Sequence, residues 1–99
     1  MKLEYTEQAR TDIVEIGEYI AEDNPPRARS FLAELRAFIE QIPENRRRYR
    51  LREEWGGAVR AASFGRYLAL FEDTGDRVTI LRVASGRRNV ADLLDSKPQ

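Results

Sequence analysis

Any chemistry this chain performs falls to arginine and tyrosine. Of its 17 basic residues fifteen are arginine; it has four tyrosines, and neither histidine nor cysteine. The usual zinc ligands, the usual general base and any thiolate are therefore missing, so metal-dependent hydrolysis and Ser-His or Cys-His catalysis are not expected, and neither is a metal or a cofactor. A guanidinium stays protonated at neutral pH, so it can stabilise an anion but does no ordinary base work. The densest run is Arg46-Arg47-Arg48-Tyr49-Arg50-Leu51-Arg52, expected as a loop or short strand with its charges in water. Such a run is either a solvated surface or a place for an anionic partner. A second group, Arg82, Arg87 and Arg88, lies near the end of the last expected strand, where three guanidinium groups can converge. Against that, Arg82 can lie over apolar neighbours and pair with an acid such as Glu72. The preference for arginine suits phosphate and carboxylate, although a GC-rich genome gives the same bias.

The charges are segregated. Residues 1–42 hold nine acids against five bases, whereas residues 46–88 hold eleven arginines against five acids, and the formal net charge of zero is a cancellation. Polarisation of this kind suggests contact with something anionic. One domain spanning residues 1–99 is expected from the length, and 41% hydrophobic residues are enough for a core. The segment Met1-Lys2-Leu3-Glu4-Tyr5 has no signal-peptide core, and the longest apolar runs are only a few residues, so a cytoplasmic location without membrane contact is expected.

Helical and strand periodicities divide the chain at Pro43. Leu3 and Tyr5 alternate with polar neighbours as in a short strand, and Thr6 reads as a helix cap. Ala9, Ile13, Ile16 and Ile20 then share one stripe, with Asp12 among the acids turned mostly away. Asp23-Asn24-Pro25-Pro26 stops this helix and restarts another, with Asn24 as cap and Pro25 at the first position. Ala28, Phe31, Leu32, Leu35, Phe38, Ile39 and Ile42 carry the second helix to Pro43. Three strands follow, at residues 58–63, 67–72 and 77–83, with Phe64-Gly65-Arg66 and Asp73-Thr74-Gly75-Asp76 as their turns. In the third, Val78, Ile80 and Arg82 are expected on one face and Thr79, Leu81 and Val83 on the other. Asn89 is placed to cap a short helix through Val90, Leu93 and Leu94, before a loosely held tail at residues 95–99. The expected class is α+β, an antiparallel helical hairpin packed on an antiparallel sheet.

This order resembles the ParE/RelE superfamily of bacterial toxins, over almost the whole chain. The likeness is carried by residues 9–16 with Tyr19-Ile20-Ala21, by Asp23-Asn24-Pro25 followed by Ala28 and Phe31, by Arg60 with Tyr67, and by residues 78–83 leading into Gly86-Arg87-Arg88. The Tyr-Ile-Ala-x-Asp-Asn-Pro segment is similar to the ParE branch, the plasmid-stabilisation toxins, in particular. Membership implies a type II toxin-antitoxin pair, with a ParD-like antitoxin whose disordered segment folds onto the toxin in a hetero-oligomer. The apolar hairpin residues Ile13, Ile16, Ile20, Phe31, Leu35 and Phe38 are then expected to hold an amphipathic antitoxin helix, and a free sheet edge to accept a strand. Operator DNA would be met only through the antitoxin. ParE-like members poison DNA gyrase and need a binding surface with no catalytic group; Arg82, Arg87 and Arg88, then Arg60 and Arg66, are the expected target contacts. The alternative is a RelE-like, ribosome-dependent endoribonuclease, in which arginines stabilise a pentavalent phosphate and tyrosine or lysine moves the proton. Aligning Arg88 with the arginine after that family's last strand puts Ala91 where a tyrosine is needed, and no lysine lies between Lys2 and Lys97. Tyr49 or Tyr67 within reach of Arg60 and Arg82 would revive the nuclease. A third reading keeps the fold and the antitoxin contact without toxicity.

Overall fold

The computed structural model describes residues 1–56, 58–88 and 90–95. Strand β1 (Lys2–Tyr5) leads through Thr6 into helix α1 (Glu7–Ala21), and α2 (Pro25–Glu40) returns beside it. Thr6 caps α1 by accepting the Ala9 N–H at 3.0 Å, and its hydroxyl donates to the Leu81 carbonyl at 2.7 Å. Asn24 caps α2 through the Arg27 N–H at 3.1 Å, with proline in the first turn. Both caps fall where the sequence puts them, because each satisfies a backbone donor that the first helical turn leaves open. Proline at position 43 does not end the second helix as expected. Helix α2 stops at Glu40, and Pro43 sits in the first turn of a short helix α3 (Ile42–Asn45), where its missing N–H is no loss.

Strands β2 (Val59–Phe64), β3 (Tyr67–Asp73) and β4 (Arg77–Ser85) form the antiparallel meander, each within about two residues of its expected limits. Between β2 and β3 the two-residue turn places Gly65 at φ +60°, a conformation that glycine adopts without strain. The sheet is mixed, in the order β1-β4-β3-β2, because β1 pairs with β4 in parallel, Leu3 opposite Val78 and Tyr5 opposite Ile80. An all-antiparallel sheet therefore has to be corrected. The α1–α2 pair and the meander intervene between these two strands, and this long crossover delivers β1 parallel to its partner.

Alternation along β4 also breaks. Leu70 pairs with Arg82 but Phe71 pairs with Ile80, so Leu81 is an extra residue in a bulge. The bulge changes which face the following residues occupy, and Val83 joins Val78 and Ile80 in the core. The core lies between the helices and the sheet, with Leu35, Ile39, Ile42, Phe71, Val78 and Ile80 fully buried. Phe31 and Phe38 of α2 cover the β2–β3 tip, with ring centroids 5.7 and 5.0 Å from Phe64 and Phe31 a further 5.6 Å from Tyr67. After β4 comes a short helix α4 (Val90–Asp95). The expected Asn89 cap and the tail from Ser96 lie outside the described residues.

Candidate functional site

Arginine lines both ends of the meander, and the sheet assigns these side chains different tasks. At one end Gly86 N–H donates to the Arg66 carbonyl at 2.8 Å, while Ser85 receives the Arg87 and Arg88 N–H groups through its hydroxyl and carbonyl at 3.3 and 3.0 Å. The β2–β3 turn and the loop after β4 are thereby stitched together. Arg66, Arg87 and Arg88 are exposed on this shared edge. The local cause is the pairing of Tyr67 with Ser85, which ends the β3–β4 ladder just where both loops begin.

Arg82 does not join them. Its Nε and Nη2 donate to the two carboxylate oxygens of Asp12 at 2.8 and 3.0 Å, and its Nη1 donates to the Leu93 carbonyl at 3.1 Å. Asp12 Oδ2 also accepts the Val83 N–H at 2.9 Å. Both side chains are largely buried, and the carboxylate holds the guanidinium above its already high ordinary pKa. The partner is Asp12 of α1 and not Glu72 of the neighbouring strand, because the bulge at Leu81 redirects this part of β4. Asp12 was missed among the acids of α1, yet its signal was present: it stands three residues after Ala9 and four before Ile16, on the buried stripe. One buried ion pair thus links α1, β4 and α4.

Arg60 is committed elsewhere. Its Nη1 donates to the Tyr49 backbone carbonyl at 2.7 Å, while the Tyr49 ring meets Phe71 edge-on at 5.8 Å. This hydrogen bond is to the main chain, so the phenol is not brought to the guanidinium by it. The arginine run itself is a 3₁₀ turn (Arg46–Arg48) leading to an isolated bridge between Leu51 and Arg60. Its charges are not all in water as expected. Arg46 is half-buried, its Nε 3.1 Å from Asp73 Oδ2, though the N–H is not aligned for a hydrogen bond, and its Nη1 donates to the Pro43 carbonyl at 2.9 Å. Arg52 pairs with Glu54 at 2.7 Å and stacks over Trp55, 4.1 Å from the ring centroid; this contact holds the Glu54 carboxyl below its ordinary pKa.

A family model described as the ParE toxin of the parDE type II toxin-antitoxin system matches residues 3–90. The chain belongs to this toxin family. Its fold is similar to the chromosomal ParDE TA system from P. aeruginosa, with a TM-score of 0.75 and 19% sequence identity over 86% of this chain and 95% of that one. No curated protein matches. In this toxin the hairpin stripe faces the sheet. Leu35, 1% exposed, and Ile16, 9% exposed, are core residues with little surface to offer a partner. Ile13, Ile20, Phe31 and Phe38 are partly buried against that core and keep an accessible rim. Large apolar residues that do face water on α1 are Val14 and Tyr19, 57% and 66% exposed, and both lie off the stripe. Among the described residues no three acidic side chains gather as a cation site, and no helix is long and apolar enough to cross a membrane.

Proposed function

We propose that this chain is the toxin of a cytoplasmic type II pair, neutralised by a ParD-like antitoxin, and that when free it inhibits DNA gyrase by binding and without catalysis. The observation that carries the reading is the edge where Arg66, Arg87 and Arg88 are exposed side by side on hydrogen-bonded loops. Guanidinium groups held this way can grip an anionic or polar protein surface, and no proton-transfer step is asked of them. The proposed target contacts are accordingly Arg66, Arg87 and Arg88. Arg82 and Arg60 act beneath the surface as positioning residues, one bound to Asp12 and the other to the Tyr49 carbonyl. For the antitoxin, the accessible rims of Ile13, Ile20, Phe31 and Phe38 replace Leu35 and Ile16. Operator DNA is read in sequence by the antitoxin.

The test pairs two reactions. Purified protein is added to gyrase with supercoiled plasmid, scoring linear DNA, and to translating ribosomes, scoring cut mRNA. Linear plasmid with intact mRNA is expected, and Arg87→Ala with Arg88→Ala should lower linearisation about tenfold or more, the loss of one or two charged contacts at about 1.5–3 kcal/mol each. Cut mRNA with intact plasmid would overturn the reading in favour of an endoribonuclease.

A further inference from the structure

The opposite end of the meander presents a second arginine platform. Asp73, at the end of β3, holds Arg46; Arg60 of β2 holds the Tyr49 carbonyl; and the Tyr49 ring is wedged against Phe71. Residues 46–49 are therefore fastened from beneath at three points. From this fastened turn Arg47, Arg48 and Arg50 project into water. Arg47 and Arg50 make no ion pair among the described residues, and Arg48 reaches only the Asn45 side chain, at 3.5 Å. Arg47 and Arg48 line an open hollow of about 410 Å3 formed by residues 44–48, in which Glu44 is the one acid.

We propose that this turn binds the phosphate backbone of duplex DNA directly, through Arg47, Arg48 and Arg50. Three features favour that partner. Guanidinium forks fixed on a rigid turn suit phosphate oxygens, and unpaired cations release condensed counterions when they meet them. Single strands are held by stacking bases on exposed aromatic rings, but here Tyr49 is turned onto Phe71 and Trp55 carries Arg52. An acidic peptide needs apolar anchors, and the hollow offers none: its lining is glutamate, asparagine and arginine. The contact carries no base readout and so adds sequence-independent affinity to whatever sequence the antitoxin selects. It differs from the expectation that DNA is met only through the antitoxin, and it is independent of the loop after β4.

The experiment is fluorescence anisotropy of the full chain with a labelled duplex of unrelated sequence, between 50 and 200 mM salt. Three phosphate contacts predict a log–log slope of about −2.7, or roughly 40-fold weaker binding at the higher salt. The triple variant Arg47→Ala, Arg48→Ala, Arg50→Ala should flatten the slope and bind about tenfold or more weakly at 50 mM, with an unchanged melting temperature because these side chains support no core contact. A control variant, Arg10→Ala, Arg29→Ala, Arg36→Ala, removes three exposed arginines from the helices and should keep the wild-type slope. Equal losses in both variants, tighter binding to the single strand than to the duplex, or no duplex binding at 50 mM would each overturn the proposal.

Discussion

Replacing Asp12 by alanine leaves Arg82 mostly buried without its counter-charge and strips the Val83 N–H of its acceptor. Breaking a buried pair from one side leaves an uncompensated charge, so Asp12→Ala should lower stability by about 3 kcal/mol in urea unfolding. Arg82→Met strands the buried Asp12 carboxylate in turn, with only the Val83 N–H left to it, so it should also be destabilised by about 3 kcal/mol. Any loss of toxicity in Arg82 variants should then follow their stability, whereas the Arg87 and Arg88 pair should lose toxicity with stability intact. Tyr5 supplies a pH signature. Burial, then the nearby Glu40, raise its pKa above the ordinary value near 10, against smaller opposing effects of Arg36 and Arg10. The folded state therefore retains a proton that the unfolded state releases first, and stability is present below the unfolded value and falls as pH rises through and above it. Melting temperatures between pH 8 and 11 should drop less steeply in Tyr5→Phe; identical slopes would show that Tyr5 is not the group responsible.

Helices α1 and α2 pack tightly at Gly17, where an added Cβ would come within 2.6 Å of the Leu32 Cδ1. Gly17→Ala gains about 1 kcal/mol of helix propensity and needs only a terminal methyl to move, so its melting temperature should stay near wild type. Gly17→Val cannot clear Leu32 by one methyl shift, and overpacking should make it about 1–3 kcal/mol less stable. A stabilised valine variant would mean that the helices do not meet there. At this scale most of the fold was legible in the sequence. Thr6 and Asn24 announced both helix starts, and glycines at 65 and 75 announced both turns of the meander, because caps and positive-φ turns depend on a few adjacent residues. What escaped was non-local. The bulge at Leu81 depends on how β3 and β4 align, and the parallel pairing of β1 depends on where a distant strand comes to rest. For the same reason the arginines at 82, 87 and 88 could be grouped by proximity along the chain while Asp12, 70 residues away from Arg82, could not be assigned to it.

Across the whole molecule the two arginine platforms sit at opposite ends of β3, seven residues long and so about 20 Å apart. Arg46 and its turn are fastened at the Asp73 end, while the Arg66, Arg87 and Arg88 edge lies beside Tyr67. The hairpin covers one face of the sheet, leaving these ends open, and the core depends on neither set of exposed arginines. Sites this far apart with no shared partner should act independently. Three variants separate their roles. Leu35→Asp places an unpaired charge in the core and should abolish folding, and with it every other property, as circular dichroism would show. The Arg87 and Arg88 double alanine variant should reduce plasmid linearisation by gyrase while keeping the wild-type salt slope on duplex DNA. The Arg47, Arg48 and Arg50 triple variant should flatten that slope, and combining the two sets should give the product of their separate deficits. If either set alone moved both readouts equally, with melting temperature unchanged, the two ends would belong to one continuous anion-binding surface wrapped around the sheet.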